Sequence, residues 1–381
     1  MRISKLDGLR GLASLMVVIH HFGKNMLPVD IYSSFIIRNA YIFVDFFFVL
    51  SGFVIALNYT EHIHDRRGLL TFMRKRFVRL YPLLSYTTLV YLCVEVGAAL
   101  LMPGAVKTPV GAAELAWMTI DSLLMTNATP LFGSTDGLNF PAWSISAEMI
   151  SYSVFGLIML AFRGRARIMA IMMVMVIAAM MLFIHGRYFS GGAFGFARAL
   201  LCFNAGTLIS LTPVRPGRNA AWMEWLIPVG ILLILYLLQD ATEQMRMFVG
   251  IVLLPAFFAS CIILFNRTDG MIGRWLNSKV MRFAGRISYS VYLNHAILIL
   301  LVPRIAFGMA GISFTPGTGL MISVLILVLV LIYSHFTYEW VEIRGGRWLE
   351  NKLKKNHEPE NAGEKTALVP FPEGKTTGEL I

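Results

Sequence analysis

The sequence predicts an all-α, polytopic integral membrane protein with about ten transmembrane helices and both termini on the cytoplasmic side. Three observations carry that prediction. Of 381 residues, 57% are hydrophobic and only 14% charged, with a mean hydropathy of +0.67; a soluble chain of this length needs more polar surface, whereas a lipid-facing surface needs none. Apolar runs of roughly 17 to 25 residues, long enough to cross a bilayer, recur without a polar block between them. Finally, with Arg10 at the start of the first span counted to the N-terminus, 26 of the 33 Lys and Arg residues fall at the N-terminus, on the even-numbered connections and after the last span, and the positive-inside rule puts those segments in the cytoplasm. The formal net charge of +11 therefore records topology rather than nucleic-acid binding, although a basic cytoplasmic face also suits an anionic cofactor.

The spans are expected at 8–26, 36–58, 80–102, 142–162, 168–185, 193–211, 222–238, 247–265, 287–308 and 318–340. Arg2 and Lys5 ahead of the first run imitate a signal peptide, but HHFGKN follows rather than a small-residue cleavage site, so the segment is expected to be a retained span. Residues 1–349 read as one transmembrane domain. Residues 350–381, with Pro359, Pro370 and Pro372 and no helical period, read as a polar, disordered cytoplasmic tail. Cys93, Cys202 and Cys261 lie in apolar runs without metal-like or C-x-x-C spacing and are expected to be packing residues.

The first span, "LDGLRGLASLMVVIHHF", holds charges that a bilayer helix should avoid. Arg10 and His21 are eleven residues apart, which at 3.6 residues per turn returns to within roughly 20° of the same direction, while His20 is displaced by about 100°. Arg10 and His21 thus share a face, about 16 Å apart along the axis, with Asp7 nearly in line. Intramembrane ionisable residues cost roughly 2.5 to 3.5 kcal/mol on insertion scales and face the protein interior or water, so this stripe should line a cavity. The purely structural alternative is a snorkelling Arg10 and an interhelically hydrogen-bonded His21.

Four further stretches bear on that choice. "DFFFVLSGF" in the second span puts Asp45 at mid-membrane and a Ser-Gly pair where helices can approach closely. "RKRFVRLYP" places Arg76 and Arg79 three apart on one helical face, with fork geometry suited to phosphate or a plain topology signal. "PAWSISAEM" stacks Ser144 and Glu148 on one face of the fourth span. There Glu148 is expected to orient His21 as the carboxylate of a triad does, or else to be a helix-entry residue favoured by the dipole. "GRISYSVYLNHAIL" carries Asn294 and His295, candidates for the cavity wall or for interhelical glue. The last span ends in "YEWVE", whose Tyr338, Trp340 and Glu342 read as interface anchors. No H-E-x-x-H, Cys cluster, P-loop or G-x-S-x-G elbow is present, so no metal is expected.

Taken together and in order, these stretches resemble the integral-membrane acyltransferase family 3, which includes O-acetylases of bacterial surface polysaccharides, Nod factors and peptidoglycan, and macrolide acylases. The resemblance spans nearly the whole chain. The family's arginine, ten residues, then histidine falls on Arg10 and His21, its arginine-rich cytoplasmic motif on Arg76 and Arg79, and its serine-and-glutamate motif on Ser144 and Glu148.

The resemblance implies a multi-pass enzyme of the bacterial inner membrane that moves an acyl group, most often acetyl, from cytoplasmic acyl-CoA to a hydroxyl of a carbohydrate, such as a surface polysaccharide or lipid-linked glycan. Its expected catalytic residues are His21, Glu148 and Arg10. Arg76, Arg79 and Arg10 are expected to hold the donor, and Asp45, Ser144 and His295 to line the substrate cavity. His21 serves either as general base or as an acyl carrier. Many polysaccharide O-acetylases of the family carry a further extracytoplasmic hydrolase-like domain where this chain has a polar tail, so an extracytoplasmic partner protein is expected if the acceptor is a polymer. The other function class is a transporter or flippase for a glycan or small anion using the same cavity; the inverted repeats and paired broken helices common in transporters are not visible.

Overall fold

The computed structural model describes residues 4–23, 26–101, 111–131, 137–211 and 220–355, and among these every regular element is helical. The principal helices are α1 (Ser4–His21), α2 (Phe43–Tyr59), α3 (Arg66–Leu101), α4 (Ala112–Leu123), α5 (Trp143–Ala161), α6 (Gly164–His185), α7 (Gly195–Leu211), α8 (Leu226–Leu237), α9 (Leu254–Arg267), α10 (Lys279–Pro303), α11 (Pro316–Thr337) and α12 (Gly346–Lys355). Each expected span falls on one of them. Among the described residues, seven helical stretches are long and apolar enough to cross a membrane by length and composition, and two shorter apolar helices accompany them. α1 carries Lys5, Asp7 and Arg10 within its 18 residues, the charge that the sequence flagged.

Several boundaries differ from expectation, two of them with consequences for the reading. α3 begins at Arg66, well before residue 80, and runs through Pro82 for 36 residues, so the whole of the basic "RKRFVRLYP" stretch, expected on a helical face, lies inside one long helix. The expected tail from residue 350 starts as helix, because Gly346–Lys355 alternates Trp348 and Leu349 with charged residues in an amphipathic pattern; the rest of the tail lies outside the described residues.

Lipid-facing surface explains where the apolar residues go. Met169, Met173, Phe183 and Ile184 project outward from α6, as they can where the solvent is hydrocarbon. The centre is packed by small residues instead. Gly52 of α2 sits against the backbone of Phe203, and Gly206 of α7 against Val49 and Phe53, so that a Cβ at either position would collide with backbone. The same device joins α1 to α10. Gly8 meets the Leu276 carbonyl, and Gly285 meets the Asp7 carbonyl. Gly8 against Met281, Gly11 against Gly285 and His21 against His295 advance in the same sense along both helices, so α1 and α10 are parallel and in close register.

The entry to α10 is fixed from a distance. The Glu224 carboxylate, fully buried, accepts hydrogen bonds from Thr268 Oγ1 (2.6 Å), Gly270 N (2.8 Å) and Gly273 N (2.8 Å). It satisfies the first donors of the short helix Met271–Leu276. Lys5 of α1 pairs with Asp269 and bonds the Thr268 carbonyl. Lys5 is also the cause of the Asp269 carboxyl lying below its usual range.

Candidate active site

A cavity of about 820 Å³, including its open mouth, lies between α1, α2, α3, α5 and α10. Arg10, Arg76, Arg79, Ser144 and Glu148, drawn from three helices, all line it. The helix period placed each pair on one face, and the packing turned those faces toward a common space.

The arginines are not equivalent. Arg79 pairs with Glu342, whose second oxygen accepts from Ser290 Oγ at 2.8 Å. Glu342 is buried on a π-helical turn, Tyr338–Gly345, that follows α11; such turns insert a residue and re-aim side chains. The expected interface role of Glu342 and Tyr338 is therefore corrected: both are buried, and of the three only Trp340 is exposed. Arg76, also buried, donates from Nη2 to Tyr59 OH at 3.0 Å and lies 5.1 Å from the Tyr59 ring centroid and 6.0 Å from that of Tyr152. Its Nε has no hydrogen-bond partner, and no carboxylate pairs with it among the described residues. A buried guanidinium without a counter-ion is costly unless an anion arrives.

Glu148 stands across the cavity. Its Oε1 accepts from Ser51 Oγ (2.6 Å) and Tyr152 OH (2.5 Å). Ser144 donates to the Pro141 carbonyl at 3.0 Å.

At the far end of α1, His21 Nδ1 lies 2.8 Å from the Val17 carbonyl and 3.2 Å from His295 Nε2. The Phe140 ring centroid is 4.7 Å from that of His21 and 5.5 Å from that of His295. His21 is half-buried and His295 fully buried. Neither lines the cavity, whose last lining residue along α10 is Tyr292, one helical turn before His295 and 5.9 Å from it between ring centroids.

The family model described as "Acyltransferase domain" matches residues 3–340, nearly the whole of this arrangement. The chain belongs to acyltransferase family 3. Protein 2 in the picA locus of Rhizobium radiobacter is 30% identical over 193 residues, which cover 48% of this chain and 94% of that relative. Acyltransferase MdmB of Streptomyces mycarofaciens is 30% identical over 160 residues, 41% of this chain and 39% of that relative. No solved structure matches. With its long apolar helices, the protein is a multi-pass membrane acyltransferase.

In this acyltransferase, the geometry changes three expected placements: His295, expected in the substrate cavity, lies beyond it against His21, and Glu148 and Asp45 also differ. Glu148 does not contact His21. Phe140, just before α5, is the residue level with His21, and Glu148 lies eight residues further on, about 12 Å along a helix at 1.5 Å per residue. It belongs to the arginine cavity instead. Asp45 does not line the cavity either. It is fully buried and accepts from Arg198 Nε and Nη2, both at 2.7 Å, and from Tyr188 OH at 3.0 Å. This two-point pair locks α2 to α7. The sequence assigns no role to Arg198, Tyr188 or Tyr152 and reads Ser51 only as half of a close-packing Ser-Gly pair; only the spacing of Tyr152, four residues after Glu148, points toward the site.

Proposed function

We propose that the protein is an O-acyltransferase that takes an acyl group, acetyl in the simplest case, from acyl-CoA on the cytoplasmic side of the bacterial inner membrane and delivers it to a hydroxyl of a carbohydrate, free, polymeric or lipid-linked. The observation that supports this most is the buried Arg76, paired with no carboxylate among the described residues, in a cavity that also holds Arg10. Guanidinium groups bind phosphate bidentately, and the nucleotide end of CoA is polyanionic. Arg79, already neutralised by Glu342, shapes the wall and carries less of that task.

The acceptor reaches His21 from the half-exposed end of α1. The Val17 carbonyl can only accept a hydrogen bond, so His21 carries its hydrogen on Nδ1. Nε2 then holds the lone pair and removes the proton from the attacking hydroxyl as the new C–O bond forms and the thioester C–S bond breaks. General-base catalysis of this kind contributes roughly 10² to 10⁴-fold. Tyr292 stands between the cavity and the histidine pair, so the acyl end of the donor must pass its ring. Membrane lipids surround the enzyme, and an extracytoplasmic partner serves it when the acceptor is a polymer.

The test is incubation of purified full-length protein with radiolabelled acetyl-CoA and a membrane and glycan extract, wild type against His21→Ala. His21-dependent release of CoA with label on glycan supports the reading. Equal turnover in the variant removes His21 from the chemistry, and transport of labelled glycan without acyl turnover favours a transporter.

A further inference from the structure

His295 has features that a structural histidine would not need. It is fully buried on α10, yet only one of its ring nitrogens has a hydrogen-bond partner among the described residues. That nitrogen, Nε2, is 3.2 Å from His21 Nδ1. The other, Nδ1, faces the Val291 and Tyr292 carbonyls of the preceding turn without reaching good hydrogen-bond geometry.

The tautomers follow from the partners. His21 Nδ1 carries a hydrogen because the Val17 carbonyl accepts from it. If His295 Nε2 also carried one, two N–H groups would oppose each other at hydrogen-bond distance. Hence His295 Nε2 presents a lone pair and its hydrogen sits on Nδ1, toward its own helix. The single hydrogen of His21 Nδ1 is shared between the Val17 carbonyl and His295 Nε2. No carboxylate bonds either ring among the described residues. The titratable neighbours are His20, 5.0 Å from His21 between ring centroids, Tyr41, 5.5 Å from His20, and Tyr292.

We infer that His295, rather than Glu148, is the positioning residue of His21: its Nε2 fixes the imidazole and accepts from Nδ1–H when His21 becomes cationic. This rests on the general-base role given to His21 above. When His21 Nε2 takes the hydroxyl proton, the imidazolium charge is shared across Nδ1–H to His295 Nε2. The proton then leaves His21 Nε2 for the thiolate of CoA, and both rings return to their starting tautomers. Overall, alcohol and thioester become ester and thiol, with no other reactant.

The test reads His21 directly. Diethyl pyrocarbonate acylates neutral imidazole, so the pH dependence of His21 labelling, resolved by peptide mass spectrometry on full-length protein in detergent, reports its titration without turnover. His295→Leu removes the acceptor. His295→Gln keeps a polar atom near the Nε2 position, whereas His295→Asn keeps one near Nδ1. The labelling midpoint should move to lower pH in His295→Leu and His295→Asn, because the cation loses its acceptor, and return toward wild type in His295→Gln. The turnover number for acetyl-CoA should fall at least ~10-fold in the first two, with donor KM unchanged. An unchanged or raised midpoint overturns the inference, as does a loss of thermal stability with turnover per folded enzyme intact. Should His295→Leu not fold, the Gln and Asn variants decide by the same comparison. Full turnover in His21→Ala would instead sink the general-base role, while the labelling still reports on the contact.

Discussion

Gly11 and Gly285 meet backbone to backbone, and a Cβ at Gly11 would lie 2.7 Å from the Gly285 nitrogen. Ten residues further along each of the two parallel helices stand His21 and His295. The glycine contact therefore sets the register that brings the histidines together. Gly285→Val should push the helices apart, costing about 1–3 kcal/mol as overpacking does, and should lower the thermal midpoint in detergent together with acyl turnover. Gly97→Ala, at a site with nothing within 4 Å, is the control and should leave both unchanged. Equal effects of the two substitutions would remove the register argument.

Glu342 compensates Arg79. Breaking a buried pair by removing one partner costs about 3–5 kcal/mol, whereas replacing both by apolar groups is often near neutral. Glu342→Leu should therefore destabilise the fold strongly, and the double variant Arg79→Met with Glu342→Leu should recover much of the loss. Thermal unfolding of the two single variants and the double variant checks this; simple additivity would mean the two groups are not coupled.

Arg76 is the arginine expected to meet the donor. Hydrogen bonds to charged groups are worth about 1.5–3 kcal/mol, so Arg76→Ala should raise the KM for acetyl-CoA roughly 10- to 100-fold. Arg76→Lys should recover only part of it, since an ammonium lacks the planar fork. An unchanged KM would return Arg76 to a topological role.

Asp45 is expected to matter for folding and not for substrate. Asp45→Asn leaves Arg198 buried without its carboxylate, a loss of about 3–5 kcal/mol. The amount of folded protein recovered should fall sharply, while the fraction that folds keeps its donor KM. A raised KM at normal yield would restore Asp45 to the substrate cavity.

Hydropathy and the 3.6-residue period determined the helical membrane fold, the positions of its long apolar helices, and the faces shared by Arg10 with His21, Arg76 with Arg79 and Ser144 with Glu148. Those properties are local along the chain, set by each segment against lipid or water, so a sequence displays them. Which faces meet, and at what depth, is decided by contacts between residues far apart: Arg79 with Glu342 across 263 positions, and His21 with His295 across 274. Glu148 illustrates the limit. Its helix and face were legible, but its partner depended on Phe140 standing level with His21, which left the carboxylate a helical turn or more too deep to reach the imidazole. Only the tertiary structure decided that Glu342 is buried, that Arg76 has no carboxylate partner among the described residues, and that a second histidine stands where a carboxylate was expected, because glycine contacts and a π-helical turn fix the register between helices and no period within one helix encodes it.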